Sequence, residues 1–496
     1  MQEYFNENNN QNINILIKRF EEMLTKNEHY FFDIEDFEDI IDYYFEQHNI
    51  KKIKQILKYA LEQHPNSTSL IIKKAQLLSL TNKPEKALNT LSEIELLEPN
   101  NFEIFITKAD IYSQQKQHDK AIKEYTKAIN ESDVYQIDDE DKEEIFSNIA
   151  NEYQIIGNYN KAIEFLKKAA IINPDNEDNT LNLAYCSEIN NSLEDAIDFF
   201  NKILDNKPYS KEIWFGLGMS YNSIGLYEKA VNAYDFVIAI DDHLSVAYFN
   251  KADSLTELKQ YKEAIKAYKQ TLLYEHTSTE FIATVYYGIG ECYEKIKNFQ
   301  LAIKYYKKSI ELDNTISDAY INIGIILDKL NCPNQALKYL QKATTIKPQY
   351  SGAWHILGQT QFKYKLYDNA IESYKKALEL NKKNKKIWLD YSNVFTKQNN
   401  YEEAIEIIKQ GINQDDKDYP SEIREADNAD LYYRLTAYLI NYGKSKQAYN
   451  CLEIALMLNY DKHSKLFEYQ PNLKNNTYII EIIETNKPDI SEKNKK

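Results

Sequence analysis

The stretch "WFGLGMSYNSIGLYEKAVNAYDFVIAI", beginning at Trp214, returns as "WHILGQTQFKYKLYDNAIESYKKALEL", beginning at Trp354. Self-similarity of this kind constrains a chain more than any single motif, because it defines one supersecondary unit and the way its copies must stack. A frame of 34 residues carries the likeness along the chain, with units starting at 34, 68, 102, 143, 177, 211, 245, 283, 317, 351, 385 and 429. The expected organisation is an N-terminal tail and capping helix over 1–33, twelve repeats over 34–462, and a C-terminal capping helix with a disordered tail over 463–496. End caps are needed because a terminal repeat would otherwise expose core on its outer side. Three insertions, 136–142, 279–282 and 419–428, fall between units and are expected to be loop extensions.

Within a unit, let positions run from 1 to 34. Position 20 is Ala in eleven units: Ala87, Ala121, Ala162, Ala196, Ala230, Ala264, Ala302, Ala336, Ala370, Ala404 and Ala448. Only Ile53 departs. Position 24 is always large and apolar, as in Tyr125, Phe200, Tyr234, Tyr268, Tyr306 and Tyr374. Position 8 is Gly, Ala or Ser in ten units, among them Gly218, Gly290, Gly324 and Gly358. Positions 4, 7, 8 and 11 follow the i, i+3, i+4, i+7 rule and mark one face of a first helix, A; positions 20, 24 and 27 mark the apolar face of a second, B. Small residues at 8 and 20 let the two axes approach, while aromatic residues at 4, 11 and 24 fill the space beside them. Gly157, Gly225 and Gly443 at position 15 suit a left-handed turn ending helix A. Pro65, Pro99, Pro174, Pro208 and Pro348 at position 32 stop helix B.

This pattern resembles the tetratricopeptide repeat family over residues 34–462, and Trp214, Leu217, Gly218, Tyr221, Tyr227, Ala230 and Tyr234 match its signature residue for residue. The resemblance implies an all-α fold, an α-solenoid in which antiparallel helix pairs wind into a right-handed superhelix. It also implies a concave groove lined by the A helices, the family's usual site for an extended peptide. The first unit departs, with Ile41 and Ile53 where small residues belong, and "NILIKRFEEML" ahead of it has the character of a capping helix.

Composition narrows the function classes. The 43% hydrophobic content supplies a core, but 496 residues exceed a single globule, and 11 Gly with 10 Pro are few for a turn-rich sheet protein. A net charge of −16 with no basic stripe argues against nucleic-acid binding. Cys186, Cys292, Cys332 and Cys451 lie far apart without metal or redox spacing, which fits a reducing compartment. The start has neither a basic n-region nor an apolar h-region, and no apolar run reaches the length of a membrane span, so the expectation is a cytoplasmic protein without membrane insertion.

No phosphate-binding loop, paired-His metal motif or nucleophile signature is present. His355 reads as a polar contact on the inner face rather than a catalyst, and Asp253/Glu257 and Glu291/Glu294 read as carboxylates on a solvated face. Repeats, caps and loops account for the whole chain, so neither an enzyme nor a cofactor or metal is expected.

Binding residues are sought at positions 2, 5, 6, 9, 12 and 13, opposite the core face of helix A. Position 5 is apolar in nine units, including Phe215, Phe249, Tyr287 and Ile321. It serves either as packing between neighbouring A helices or as a partly exposed strip that anchors a partner. Position 6 holds Asn148, Asn182, Asn250 and Asn322, interrupted by Gly216 and Gly288. Family members that grip a peptide main chain use such a ladder, since one amide both donates and accepts; an Asn-rich composition is the alternative source. Lys295, Lys329, Lys363 and Lys397 recur at position 13, either complementing the helix dipole or steering an acidic segment of a partner. The family's chaperone-type carboxylate clamp needs Lys at position 5, which no unit has. The expected function is a non-enzymatic scaffold that binds a peptide or protein in its groove. The alternative is a regulatory adaptor subunit that meets its partner through the convex face or the inter-repeat loops.

Overall fold

A computed structural model describes residues 2–26, 28–135, 137–274, 278–414 and 428–488, and no strand occurs among them. The chain divides into two units, Met1–Lys259 and Gln260–Lys496. The first unit opens with α1 (Gln2–Lys26) and continues as antiparallel hairpins: α2 (Ile34–Glu46) with α3 (Ile50–Gln63), α4 (Thr68–Leu80) with α5 (Pro84–Glu95), and α6 (Phe102–Gln114) with α7 (His118–Tyr135). Next come α8 (Asp139–Ile155) with α9 (Tyr159–Ile172), α10 (Glu177–Ile189) with α11 (Leu193–Asn206), α12 (Lys211–Ser223) with α13 (Tyr227–Ile240), and α14 (Ser245–Glu257). The second unit begins with α15 (Tyr261–Thr271), followed by α16 (Thr279–Lys295) with α17 (Phe299–Leu312), and α18 (Ser317–Lys329) with α19 (Pro333–Ile346). It ends with α20 (Ser351–Lys363) and α21 (Tyr367–Leu380), α22 (Lys385–Lys397) and α23 (Tyr401–Ile412), α24 (Ala429–Asn441) and α25 (Ser445–Leu458), then α26 (Ser464–Tyr469) and α27 (Thr477–Thr485). Each unit is an all-α solenoid.

The hairpins close where the small-residue columns lie. All eleven alanines of position 20 are fully buried, at 0% exposure. A Cβ added to Gly218 would stand 2.7 Å from the Tyr234 ring, one added to Gly290 2.6 Å from Tyr306, and one added to Gly324 2.6 Å from Leu340. Helix A therefore rests its backbone on the position-24 side chain of its own hairpin, an approach that a larger residue at position 8 obstructs.

The turn between A and B is left-handed whatever residue occupies it. The residues with positive φ among those described are His48, Asn82, Lys116, Gly157, Asn191, Gly225, Lys259, Lys297, Asn331, Lys365, Asn399 and Gly443, and each follows the end of an A helix. In these turns, the one at Lys259 apart, the following N–H donates to a carbonyl five residues back, as Lys83 does to Leu78 (2.9 Å) and Leu366 to Gln361 (2.9 Å), which satisfies an orphan carbonyl at the helix end. Glycine marked only three of these turns in the sequence; Lys, Asn and His hold the same conformation because the hydrogen bonds and the packing of both helices over-determine it.

The recurring tryptophan has a separate role. The indole N–H of Trp214 donates to the Pro208 carbonyl (2.9 Å), that of Trp354 to the Pro348 carbonyl (2.9 Å), and that of Trp388 to the Lys382 carbonyl (2.8 Å). Each ties an A helix to the bend six residues earlier, where the preceding B helix has ended.

At the N-terminal end, Phe20 and Met23 of α1 pack on Phe32, Phe37, Ile40, Ile41 and Ile53. The bulky residues of the aberrant first hairpin thus belong to a core shared with the preceding helix. At the other end, Leu466 of α26, Leu473, and Ile479 and Ile483 of α27 cover Tyr433, Leu452 and Ala455 of the last hairpin. The residues "SEKNKK" lie outside the described residues, as does most of 419–428.

Two insertions are not loop extensions. Residues 139–142 and 279–282 add a turn to the start of α8 and α16. Asp138 Oδ1 accepts the Asp141 N–H (2.8 Å), and Asp139, Glu140 and Asp141 put negative charge at the helix N-terminus; Ser278 Oγ accepts the Phe281 N–H (3.1 Å). Cap and dipole extend the helix backward into the insertion.

Replacing Ala230 by Leu is expected to overpack the A/B contact and cost about 1–3 kcal/mol. Hydrogen exchange should show the loss of protection concentrated around α12 to α14, since stability in such arrays is close to a sum of neighbour terms. At the turns, Lys365→Gly should stabilise and Gly225→Ala destabilise, each by about 0.5–1 kcal/mol in denaturant melts, because only the left-handed conformation distinguishes the two residues there.

Candidate functional site

Within each unit, several consecutive A helices touch one another, as α10 touches α12, α12 touches α14, and α18 touches α20, whereas no two consecutive B helices come as near. Hairpins that converge on their A side put positions 2, 5, 6, 9, 12 and 13 on the inner side. The sequence-derived candidates lie there, on α8, α10, α12 and α14 of the first unit and on α16, α18, α20 and α22 of the second.

The apolar strip at position 5 is only partly a surface. Phe215 and Ile321 are buried, at 6% and 5% exposure, and Tyr433 is fully enclosed. Their rings and branches fill the seam between neighbouring A helices, Phe215 lying edge-on to Tyr234 with ring centroids 5.8 Å apart. Phe215 and Ile321 therefore pack the solenoid and leave little surface for a partner. Phe249 and Tyr287 keep part of their surface open. Tyr287 is also held in place, its hydroxyl donating to Glu291 (3.1 Å) and accepting from Asn322 (3.2 Å).

The Asn column divides in the same way. Asn148, Asn182 and Asn250 are half-exposed, and among the described residues their side-chain amides have no partner within the chain. Asn322 is committed internally, donating to Tyr287 and to Tyr306 (3.2 Å each). The breaks at Gly216 and Gly288 have a steric cause. A Cβ on Gly216 would lie 2.5 Å from Thr180 and 3.2 Å from Phe200, and one on Gly288 would lie 2.6 Å from the Tyr268 ring. Position 24 of the preceding hairpin occupies the space an Asn side chain needs.

The four lysines of position 13 are all exposed, and each is the last residue of its A helix, where a cation complements the dipole. Two are also paired: Lys329 with Glu294 (3.3 Å), and Lys363 with Asp328 (2.8 Å). Lys295 and Lys397 have no ion pair among the described residues. The row is therefore not a uniform band of free charge.

The carboxylates expected on a solvated face do more than that. Glu294 also accepts the Tyr306 hydroxyl (3.1 Å), so this acid satisfies a buried phenol while pairing with a lysine of the next hairpin. His355 is buried, its Nε2 2.8 Å from Asp390, and Gln359 donates to the same carboxylate (2.7 Å). Burial alone would raise Asp390, but these two contacts hold its carboxyl below the usual range. In the first unit, Asp110 accepts the Tyr125 hydroxyl (2.5 Å). Burial pushes its carboxyl up, the tyrosine bond opposes this, and the charge of Glu152 adds to the rise.

These contacts share a rule that column reading within single units missed. Glu294 meets Lys329, Asp328 meets Lys363, His355 meets Asp390, and Asp430 meets Lys465 (2.6 Å), every pair separated by 35 residues. In these pairs a position on one helix faces the next-numbered position of the following unit, so acid–base matches at that separation were an available signal; other contacts are offset differently, as Asp42 with Lys73 is. Among the described residues no His, Cys, Asp and Glu group could hold a metal ion, and no helix is long and apolar enough to cross a membrane.

Solved structures similar to this chain include MamA, 26% identical over 33% of this chain and 94% of its own, with a TM-score of 0.31. The Cut9–Hcn1 hetero-tetramer of the APC/C is 15% identical, covering 82% of this chain and 90% of that one, with a TM-score of 0.38. The C-terminal part of a TPR repeat-containing protein from Cytophaga hutchinsonii is 19% identical, covering 54% and 98%, with a TM-score of 0.43. No curated protein matches. Three family models, each described as tetratricopeptide repeat, match residues 157–219 and 361–421, residues 243–315, and residues 102–133, 211–243 and 317–350. These segments span more than half of the chain and coincide with hairpins built on the small-residue contact, and the chain belongs to the tetratricopeptide repeat family.

Proposed function

We propose that this protein-interaction scaffold holds an extended segment of a partner protein on the inner face of the A helices of Met1–Lys259, within an array of twelve repeats. The observation that carries the reading is the set of free amides at position 6. Asn148, Asn182 and Asn250 stand half-exposed on α8, α10 and α14 with no partner of their own among the described residues. An amide in that state can donate to one main-chain carbonyl and accept from one N–H, which suits an extended segment of any sequence. Phe249, beside Asn250 and still partly open, supplies an apolar contact. Phe215 is buried beneath them, and a packed face binds with less loss of side-chain freedom.

The charge of this face bears on the segment it suits. Glu144 is pushed above the usual carboxylate range by burial and by Asp110 and Asp141 nearby, and Asp110 is itself raised, chiefly by burial. A Lys or Arg on the bound segment relieves that repulsion. No catalytic role is assigned to any residue of this face.

Affinity capture with the full chain, followed by mass spectrometry, identifies the partner, and calorimetry on the recovered segment tests the site. Each of Asn148→Ala, Asn182→Ala and Asn250→Ala should weaken binding by about 0.5–1.5 kcal/mol. Wild-type affinity in the triple variant would exclude this face. A second expectation concerns pH. A carboxyl whose folded-state pKa is raised binds its proton more tightly folded than unfolded, so its contribution to stability falls as pH rises through that value. Asp110→Asn keeps an acceptor for Tyr125 and removes the charge. It should raise Tm at neutral pH and flatten the loss of stability between mildly acidic and neutral solution in thermal melts.

A further inference from the structure

The B helices of the second unit stand farther apart than the A helices, and two grooves open between them. One, of about 640 Å³, lies between α17 and α19 and is lined by Ile310, Tyr320, Tyr339, Lys338 and Lys342. The other, of about 550 Å³, lies between α19 and α21, where Trp354 and Leu357 line it together with Lys375 and Lys376. Both include Gln341 and Thr345 of α19, so they are adjoining parts of one surface. Volumes of this size accept side chains of a bound segment.

The charge on this surface is opposite to that of the chain. In a protein of net charge −16, Lys338, Lys342 and Lys375 are exposed and have no ion pair among the described residues. Lys376 is the exception, pairing with Glu379 at 2.6 Å. The free ammonium groups border grooves lined by aromatic rings, which suits carboxylates that alternate with apolar side chains. Glu372 and Glu379 interrupt the basic field within the second groove, so the surface offers no continuous track for a phosphate backbone.

We propose that the B-helix face of α17, α19 and α21 is a second docking surface, taking an acidic segment of a partner protein. Apolar side chains of that segment enter the two grooves while its carboxylates meet Lys338, Lys342 and Lys375. This rests on the scaffold reading but not on the inner face of the first unit.

Fluorescence anisotropy with the full chain tests it. The probes are labelled peptides in which Glu or Lys alternates with Phe, and a labelled single-stranded oligothymidine. The Glu–Phe peptide should bind in preference to the other two, and a carbodiimide should cross-link it to the three lysines. Its affinity should fall at least about tenfold in the Lys338→Glu, Lys342→Glu, Lys375→Glu variant, less in the corresponding Gln variant, and not at all when Asn148, Asn182 and Asn250 are changed to Ala. Circular dichroism confirms that each variant is folded. Equal affinity for the Glu and Lys peptides, unchanged affinity in the Glu variant, or competition by oligothymidine at the same concentration would each overturn the proposal. Failure of the Asn variants to affect the captured partner would count against the inner-face site alone.

Discussion

The contact between a small residue at position 8, Ala at position 20 and a large side chain at position 24 governs the geometry of each hairpin. Gly218 against Tyr234 and Gly290 against Tyr306 leave no room for a Cβ. With the backbone of helix A resting on an aromatic ring, the spacing and direction of the two helices are set by contact rather than by a choice among rotamers. The left-handed turn then has little freedom. It must join two axes already placed, which is why Lys, Asn and His adopt there a conformation usually left to Gly.

Stacking adds a second constraint, and it is polar as much as apolar. In the second unit, A helices present acids, amides and tyrosine hydroxyls to the next-numbered position of a neighbouring hairpin, as in Glu294 with Lys329 and Asn322 with Tyr287. Exposed ion pairs of this kind stabilise little individually, since solvent screens them. Their weight is in register, because a hairpin shifted along its neighbour would separate buried groups such as His355 from Asp390 on the next A helix. The same demand removes residues from the surface available to a ligand. Asn322, Lys329 and Lys363 are used within the solenoid, whereas Asn148, Asn182 and Asn250 are not.

The two faces of the hairpin row consequently differ in chemistry. On the A helices of the first unit, burial foremost and neighbouring carboxylates after it push Asp110 and Glu144 above the usual carboxylate range. Where B helices diverge, grooves open over aromatic side chains and lysines remain unpaired. Both go with the closer approach of A helices, as in α10 with α12 and α18 with α20, than of B helices.

The 34-residue recurrence of Ala, of large residues four positions later and of small residues on helix A was enough to specify helices, hairpins and a solenoid, because those properties depend on spacing within one unit. It also marked the face of helix A opposite its core, which follows from helical geometry, while the reading of that face as a groove rests on the family resemblance. Which residues of that face remain open was decided by tertiary structure. Phe215 and Phe249 occupy the same position in adjacent units, yet one is enclosed and the other is not. Glycine at 216 and 288 read as gaps in a binding ladder, and became steric necessities only once Phe200 and Tyr268 of the preceding hairpins were seen against them. The insertions at 136–142 and 279–282 read as loops, and a cap with a favourable dipole made residues 139–142 and 279–282 helix. Spacing along one chain reports what a residue faces within its own hairpin. Its exposure and hydrogen-bond partners depend on the hairpin stacked against it, so only the assembled solenoid sets them.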